Sequence, residues 1–195
     1  MEHGVRILIL VAIAFMAFVF ARSRTNTEER LHAIEGSMQL EAARAFEPAN
    51  LDDYAATGVA IESLPVHGAV YVPVYSHIYY DGGRPYLLEA TLSVRNVDPK
   101  QPVYVSTVEY YNTDGKLSKT LVDRLIRLAP LQTIEFLIER RDATGGSGAN
   151  FVVVWHGPSE RAHAPLIEAV MVGRSGTNAI SVVRKSEPLP QWIAD

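Results

Sequence analysis

From residue 69 to residue 184 the apolar positions recur every second residue, the repeat of a strand that buries one face. In "VYVPVYSHIYY" (70–80), Val70, Val72, Val74 and Ile78 fall on one side, with Ser76 among them. Tyr71, Pro73, Tyr75, His77 and Tyr79 fall on the other. Pro73 has no N–H for a ladder, so the pattern predicts a strand that sits at a sheet edge or bends there. Asp81 to Pro85, "DGGRP", is turn chemistry. The next run places Tyr86, Leu88, Ala90, Leu92 and Val94 inward and Glu89, Thr91, Ser93 and Arg95 outward. Further strands are expected at 103–111, 116–125, 134–138, 151–155, 166–172 and 180–184. Asn112 to Gly115, "NTDG", makes the hairpin between the first two of these, its glycine supplying a positive φ.

Seven or eight short strands with frequent turns and no helical pattern between them define an all-β chain with antiparallel pairing. A parallel sheet needs crossovers of about a dozen residues, and these connections are too short for it. The expected fold is an immunoglobulin-like antiparallel β-sandwich, preferred to a closed barrel.

Ahead of residue 69 the period is near 3.6. "TNTE" (25–28) is a capping box, and Leu31, Ile34, Met38 and Ala45 follow at helical spacing, so a short amphipathic helix is expected over 28–46. Residues 47–67 read as a loop. At the start, "ILILVAIAFMAFVFA" (7–21) carries no charge. Fifteen helical residues reach roughly 22 Å, close to the lower limit of a membrane span once Val5 and Arg6 are added. Two readings stand: a secretory signal cleaved after Ala21, or an uncleaved signal-anchor. Either gives an envelope protein, anchored in the inner membrane through residues 7–21 or released into the periplasm. Arg22, Arg24 and Arg30 outnumber Arg6 across the segment and argue for the opposite orientation. The expected organisation is 1–21 signal or anchor, 22–67 acidic helical spacer and loop, 68–188 β-sandwich, and 189–195 tail.

Charge sharpens this division. Residues 22–65 carry four arginines against eight acids, whereas 66–195 carry thirteen of each sign. The net charge of −4 offers no basic footprint, so no nucleic-acid partner is expected. The chain has no cysteine, which excludes disulfides, thiolate metal sites, thiol nucleophiles and a lipid-bearing cysteine together.

The stretches "VYVPVYSHIYY", "LLEATLSVRNVDP", "VEYYNTDGKL", "LAPLQTIEFLIERRD", "GGSGANFVVVW" and "IEAVMVG", in that order, resemble an uncharacterised bacterial family. It is a domain of unknown function in exported or membrane-anchored proteins, and the resemblance covers about residues 68–185. It implies no activity, since the family has no established chemistry. "LSVRN…VEYYNTDGKL" is also similar to strand–turn pairs of extracellular immunoglobulin-like modules, a likeness that bears on fold alone.

Ser76, His77 and Asp81 have the residue types of a hydrolase triad, but neighbours along a strand point to opposite faces, so Ser76 and His77 are expected to diverge. No catalytic residue is assigned. His77, His156 and His163 show no metal-ligand spacing, although a sandwich would bring His77 to His156, with Glu89 or Glu109 beside them. No metal ligand and no cofactor is assigned. "GGSG" (145–148) lacks the Lys and Ser/Thr of a phosphate loop and reads as a flexible or bulged connection. The face bearing Tyr71, Tyr75, His77 and Tyr79 remains, and rigid rings with polar tips favour interfaces. The expected function is therefore a non-catalytic envelope module that binds a protein partner or itself through these four residues. The alternative is a small-ligand or metal-binding envelope protein, enzymes included, with a pocket around His77.

Overall fold

A computed structural model of the chain describes residues 15–16, 46–142, 144–175 and 178–190. The chain divides into two compact units, residues 1–47 and 48–195. In the first, Phe15 and Met16 are helical and their side chains are exposed. The rest of the hydrophobic segment 7–21, the amphipathic helix expected over 28–46 (except Phe46) and the tail beyond residue 190 lie outside the described residues. Among the described residues no helix is long and apolar enough to cross a membrane.

The second unit is all-β with antiparallel sheets. Its strands are β1 (Val66–Pro73), β2 (His77–Tyr80), β3 (Arg84–Leu87), β4 (Glu89–Arg95), β5 (Val103–Tyr111), β6 (Leu117–Val122), β7 (Ile126–Leu128), β8 (Thr133–Ile138), β9 (Asn150–Gly157), β10 (Leu166–Ser175), β11 (Asn178–Lys185) and β12 (Glu187–Pro188). One sheet runs β12-β1-β9-β5-β6, with β7 also paired to β5. A second runs β11-β10-β4-β8, and β2 and β3 form a hairpin of their own.

The inner faces of the two larger sheets close on one hydrophobic cluster. Val72, Val105, Val108, Tyr110, Phe151 and Val153 enter from the first sheet; Leu92, Val94, Ile134, Ile138, Ile167 and Met171 enter from the second. Each is an alternate position of its strand, as the two-residue period requires. Burying one such side chain contributes about 1.5–3 kcal/mol, so the alternation holds the sheets together. A bulge between Val105 and Thr107 inserts Ser106 and lets both Val105 and Val108 point inward.

Four expectations change. The strand read through 70–79 is two strands, because Val74, Tyr75 and Ser76 leave β1 and bond elsewhere: Val74 N–H donates to Ala149 O at 2.9 Å and Ser76 N–H to Gly146 O at 3.0 Å. The strand expected over 116–125 becomes β6 alone, with β7 after it; both lie along β5. Ser93, expected outward and solvated, is buried: its hydroxyl donates to Glu135 Oε1 at 3.4 Å and accepts from Arg95 Nε at 3.0 Å, so two long charged side chains cover it. Residues 47–67, expected as a loop, carry two 3-10 turns, Leu51–Tyr54 and Ile61–Ser63, and the start of β1 at Val66. Leu51 and Tyr54 pack against the core, and Ala55 bridges to Ile126.

Candidate docking site on the tyrosine hairpin

The chain turns from β2 into β3 through Asp81, Gly82 and Gly83, with φ of 43°, 75° and 99°. Three successive left-handed residues explain the two glycines and an aspartate, the residue types that tolerate this region best. Asp81 Oδ2 lies 3.6 Å from Arg84, both exposed, so Asp81 is turned to its own turn and not to His77. The root of the hairpin is the bend at Val74–Ser76. Ser76 is buried; its carbonyl accepts from Leu88 N–H at 2.9 Å and its hydroxyl donates to Gly146 O at 3.1 Å. "GGSG" is therefore a tied connection. Thr113 N–H donates to Gly145 O at 2.8 Å, and Gly148 N–H donates to Thr113 Oγ1 at 2.9 Å.

This bend distributes the four ring-bearing residues. Tyr71 stays on the outer face of the first sheet, in register with Val152 and Glu187. Tyr75 lies in the bend, where its hydroxyl accepts from Arg184 Nε at 3.1 Å and its ring centroid lies 5.6 Å from that guanidinium. His77 and Tyr79 are together on β2, ring centroids 4.9 Å apart and edge-on at 81°. Ser76 and His77 do not diverge as the strand rule implied: Ser76 Oγ lies 3.3 Å from His77 Nδ1, because Ser76 is in the bend and outside any strand. The hydroxyl nevertheless gives its proton to Gly146 O, and Asp81 is paired with Arg84.

The pattern of residues 70–80 missed the other half of the site. Tyr80 and Tyr86 face each other across the hairpin, 5.8 Å apart and at 84°. With Ile78 they form one wall of a cleft of about 430 Å³, whose other wall is Asn178, Ala179 and Ile180 at the start of β11. Tyr86 sits over Gly173 of β10, where any Cβ would strike its ring and Leu88 Cδ2. Tyr86 Oη donates to Asn178 O at 3.5 Å. The sequence signal was present in "YYDGGRPY", tyrosines on both arms of a tight turn. The opposing wall, about ninety residues further on, was not. Tyr79 is 61% exposed and Tyr80 50%, and His77 is not among the residues lining the cleft.

The histidines are dispersed. His156 lies opposite His67, at the far end of β9 from Asn150, which pairs with Pro73. Six residues of strand, roughly 20 Å, separate that end from the one where the hairpin begins, so His77 and His156 do not meet. Glu109 instead accepts a hydrogen bond from Tyr111 Oη at 2.6 Å; burial, then this bond, push the Tyr111 hydroxyl up to about 12. His163 Nδ1 lies 3.0 Å from Asp98 Oδ2. That bond, with the backbone N–H groups of Gln101 and Lys100, holds the Asp98 carboxyl down at about 2. Among the described residues no group of three or more His, Cys, Asp or Glu gathers in a metal-ligating arrangement.

Fold and site together define an all-β antiparallel domain with an appended tyrosine hairpin. The profile of a family described as "Protein of unknown function (DUF3124)" matches residues 67–189, and the chain belongs to that family. No curated protein matches it. Among solved structures it is similar to the crystal structure of Thermotoga maritima 1070, at 7% identity over 62% of this chain and 92% of that one, with a TM-score of 0.38. A likeness of that size carries no argument about fold or function.

Proposed function

We propose that the protein is a non-catalytic bacterial envelope module that docks another envelope protein through the β2–β3 hairpin. The observation that carries the reading is the exposure of Tyr79 and Tyr80 on a hairpin outside both larger sheets, beside an apolar cleft. Exposed rings next to a concave apolar surface are the composition of interface centres. In this reading the domain is an immunoglobulin-like β-sandwich. Its support is the pairing of β4 with β8 in one sheet and β5 with β9 in the other, the arrangement of the four central strands in that fold; β1 joins β9 where an immunoglobulin first strand would join β4. Residues 7–21 tether the module to the inner membrane, or deliver it to the periplasm if cleaved after Ala21.

Photo-crosslinking in living cells tests the docking surface. A benzophenone amino acid at position 79 or 80 is expected to give one discrete protein adduct, whereas the same group at Lys116, in the turn between β5 and β6, gives none. Adducts that are the same at all three positions would remove the assignment, and an adduct of twice the chain mass would identify a second copy as the occupant. A second reading rests on the cleft itself, whose volume of about 430 Å³ suits a small ligand. A small-molecule thermal-shift screen that moves the parent but not Tyr86→Ala would favour it.

A further inference from the structure

At the end of the first sheet away from the hairpin, His67 of β1 stands directly opposite His156 of β9. Register partners on antiparallel strands share a face, so the two imidazoles project together, ring centroids 6.3 Å apart at 52°. On the other flank of His156 is β5, whose Tyr104 is its register partner. Ser106, the extra residue of the β5 bulge, presents its Oγ 2.9 Å from His156 Nε2. Bulges re-aim side chains in this way. The His156 side chain is mostly covered, the residue being 7% exposed. Among the described residues no hydrogen bond reaches its Nδ1, and no buried side-chain nitrogen or oxygen lacks a partner, so Nδ1 keeps some access to solvent. His67 is exposed.

We propose that His67 and His156 form a two-histidine site for a divalent transition metal of the zinc class, with water in the remaining coordination positions. An Nε2–H donated to Ser106 leaves the lone pair on Nδ1, the way a neighbouring acceptor fixes the tautomer of a ligating histidine. Imidazole selects zinc, copper and nickel over calcium and magnesium. His67, being exposed, can rotate about its side-chain bonds to bring a nitrogen within about 2.1 Å of the same ion. Two protein ligands make an open site, one that can accept a further ligand.

The test titrates Zn²⁺ into the full chain in detergent by calorimetry, with Co²⁺ visible absorption as a second readout. A His3→Ala background removes a competing histidine near the amino terminus. One saturable Zn²⁺ per chain is expected, and His67→Ala, at an exposed position that leaves the fold intact, weakens it at least about tenfold. Ser106→Ala weakens it about tenfold by releasing the ring, and His163→Ala leaves it unchanged. Binding that His67→Ala does not alter, or no saturation below about 1 mM, overturns the site.

Discussion

Asn96, at the end of β4, is 2% exposed and joins four separate backbone groups. Its Nδ2 donates to Gln101 O at 2.8 Å, Ala129 O at 2.9 Å and Leu128 O at 3.2 Å, and its Oδ1 accepts from Asp98 N–H at 2.9 Å. One side chain thus ties the loop after β4 to the turn after β7. Asn96→Ala removes all four bonds. The two Nδ2 hydrogens are shared among three carbonyls, so with the Oδ1 bond the set is worth about three full hydrogen bonds at a net of about 1 kcal/mol each, a loss of about 3 kcal/mol. Asn96→Asp keeps the shape but sets a carboxylate against three carbonyl oxygens, so it is expected to lose more at pH 7 and to recover as the carboxyl protonates. The assay is urea unfolding of the full chain in detergent, followed by the fluorescence of buried Trp155 in a Trp192→Phe background. With a slope of about 2 kcal/mol per molar urea, Asn96→Ala moves the midpoint down by about 1.5 M. An Asn96→Ala midpoint within about 0.25 M of the parent, or an Asn96→Asp variant no weaker than Asn96→Ala at pH 7, would refute the reasoning.

Three further outcomes are expected. A Cβ at Gly145 would overlap the Tyr110 hydroxyl and press on Tyr110 Cζ and Ala149 Cβ, and Tyr110 is buried against Phe151; Gly145→Ala therefore costs about 1–3 kcal/mol, and Tyr110→Phe in the same chain restores only part of it on the same urea curve. Leu131 holds φ of 61° with its side chain exposed, so Leu131→Asn, better tolerated there, raises stability by about 0.5–1 kcal/mol; an unchanged midpoint counts against strain at this turn. Stability should fall with acid in two windows. Asp98 binds its proton at about 2 folded but at 3.8 unfolded, so its contribution is present above pH 3.8 and disappears as pH drops toward 2. His156 has a folded affinity below its ordinary 6.5, so the unfolded chain takes up more protons there and stability declines as pH drops below 6.5. Unfolding midpoints from pH 8 to pH 2 read both steps, and Asp98→Asn shrinks the lower one, to which Asp142, also held below 3.8, contributes as well.

The local pattern reached a good deal of this. Alternation in 86–94 named Tyr86, Leu88, Ala90, Leu92 and Val94 as interior positions; the last four are buried, because side-chain direction along a strand depends only on the strand itself, and Tyr86 is half-buried at the cleft. The turn chemistry of "DGGRP" and "NTDG" placed two hairpins for the same local reason. The pattern placed His77 and Tyr79 on one strand face, where their rings do meet, but extended the strand through Ser76. What it lacked was the set of hydrogen bonds from Val74 and Ser76 to the connection at 146–149, partners some seventy residues away. It also set His77 beside His156: the register that places His156 against His67 is a fact about two strands, and neither strand encodes it alone.

By itself, then, the order of residues determined strand periodicity, antiparallel class, the chain's acidic first third and the absence of thiol chemistry, since each follows from spacing or composition. Tertiary structure alone decided where β1 stops, which tyrosines share a cleft with Ile180, and which two imidazoles stand together. Those depend on which strands become neighbours and in what register, a choice made by closing one core between two sheets, with every long-range pairing contributing to it at once.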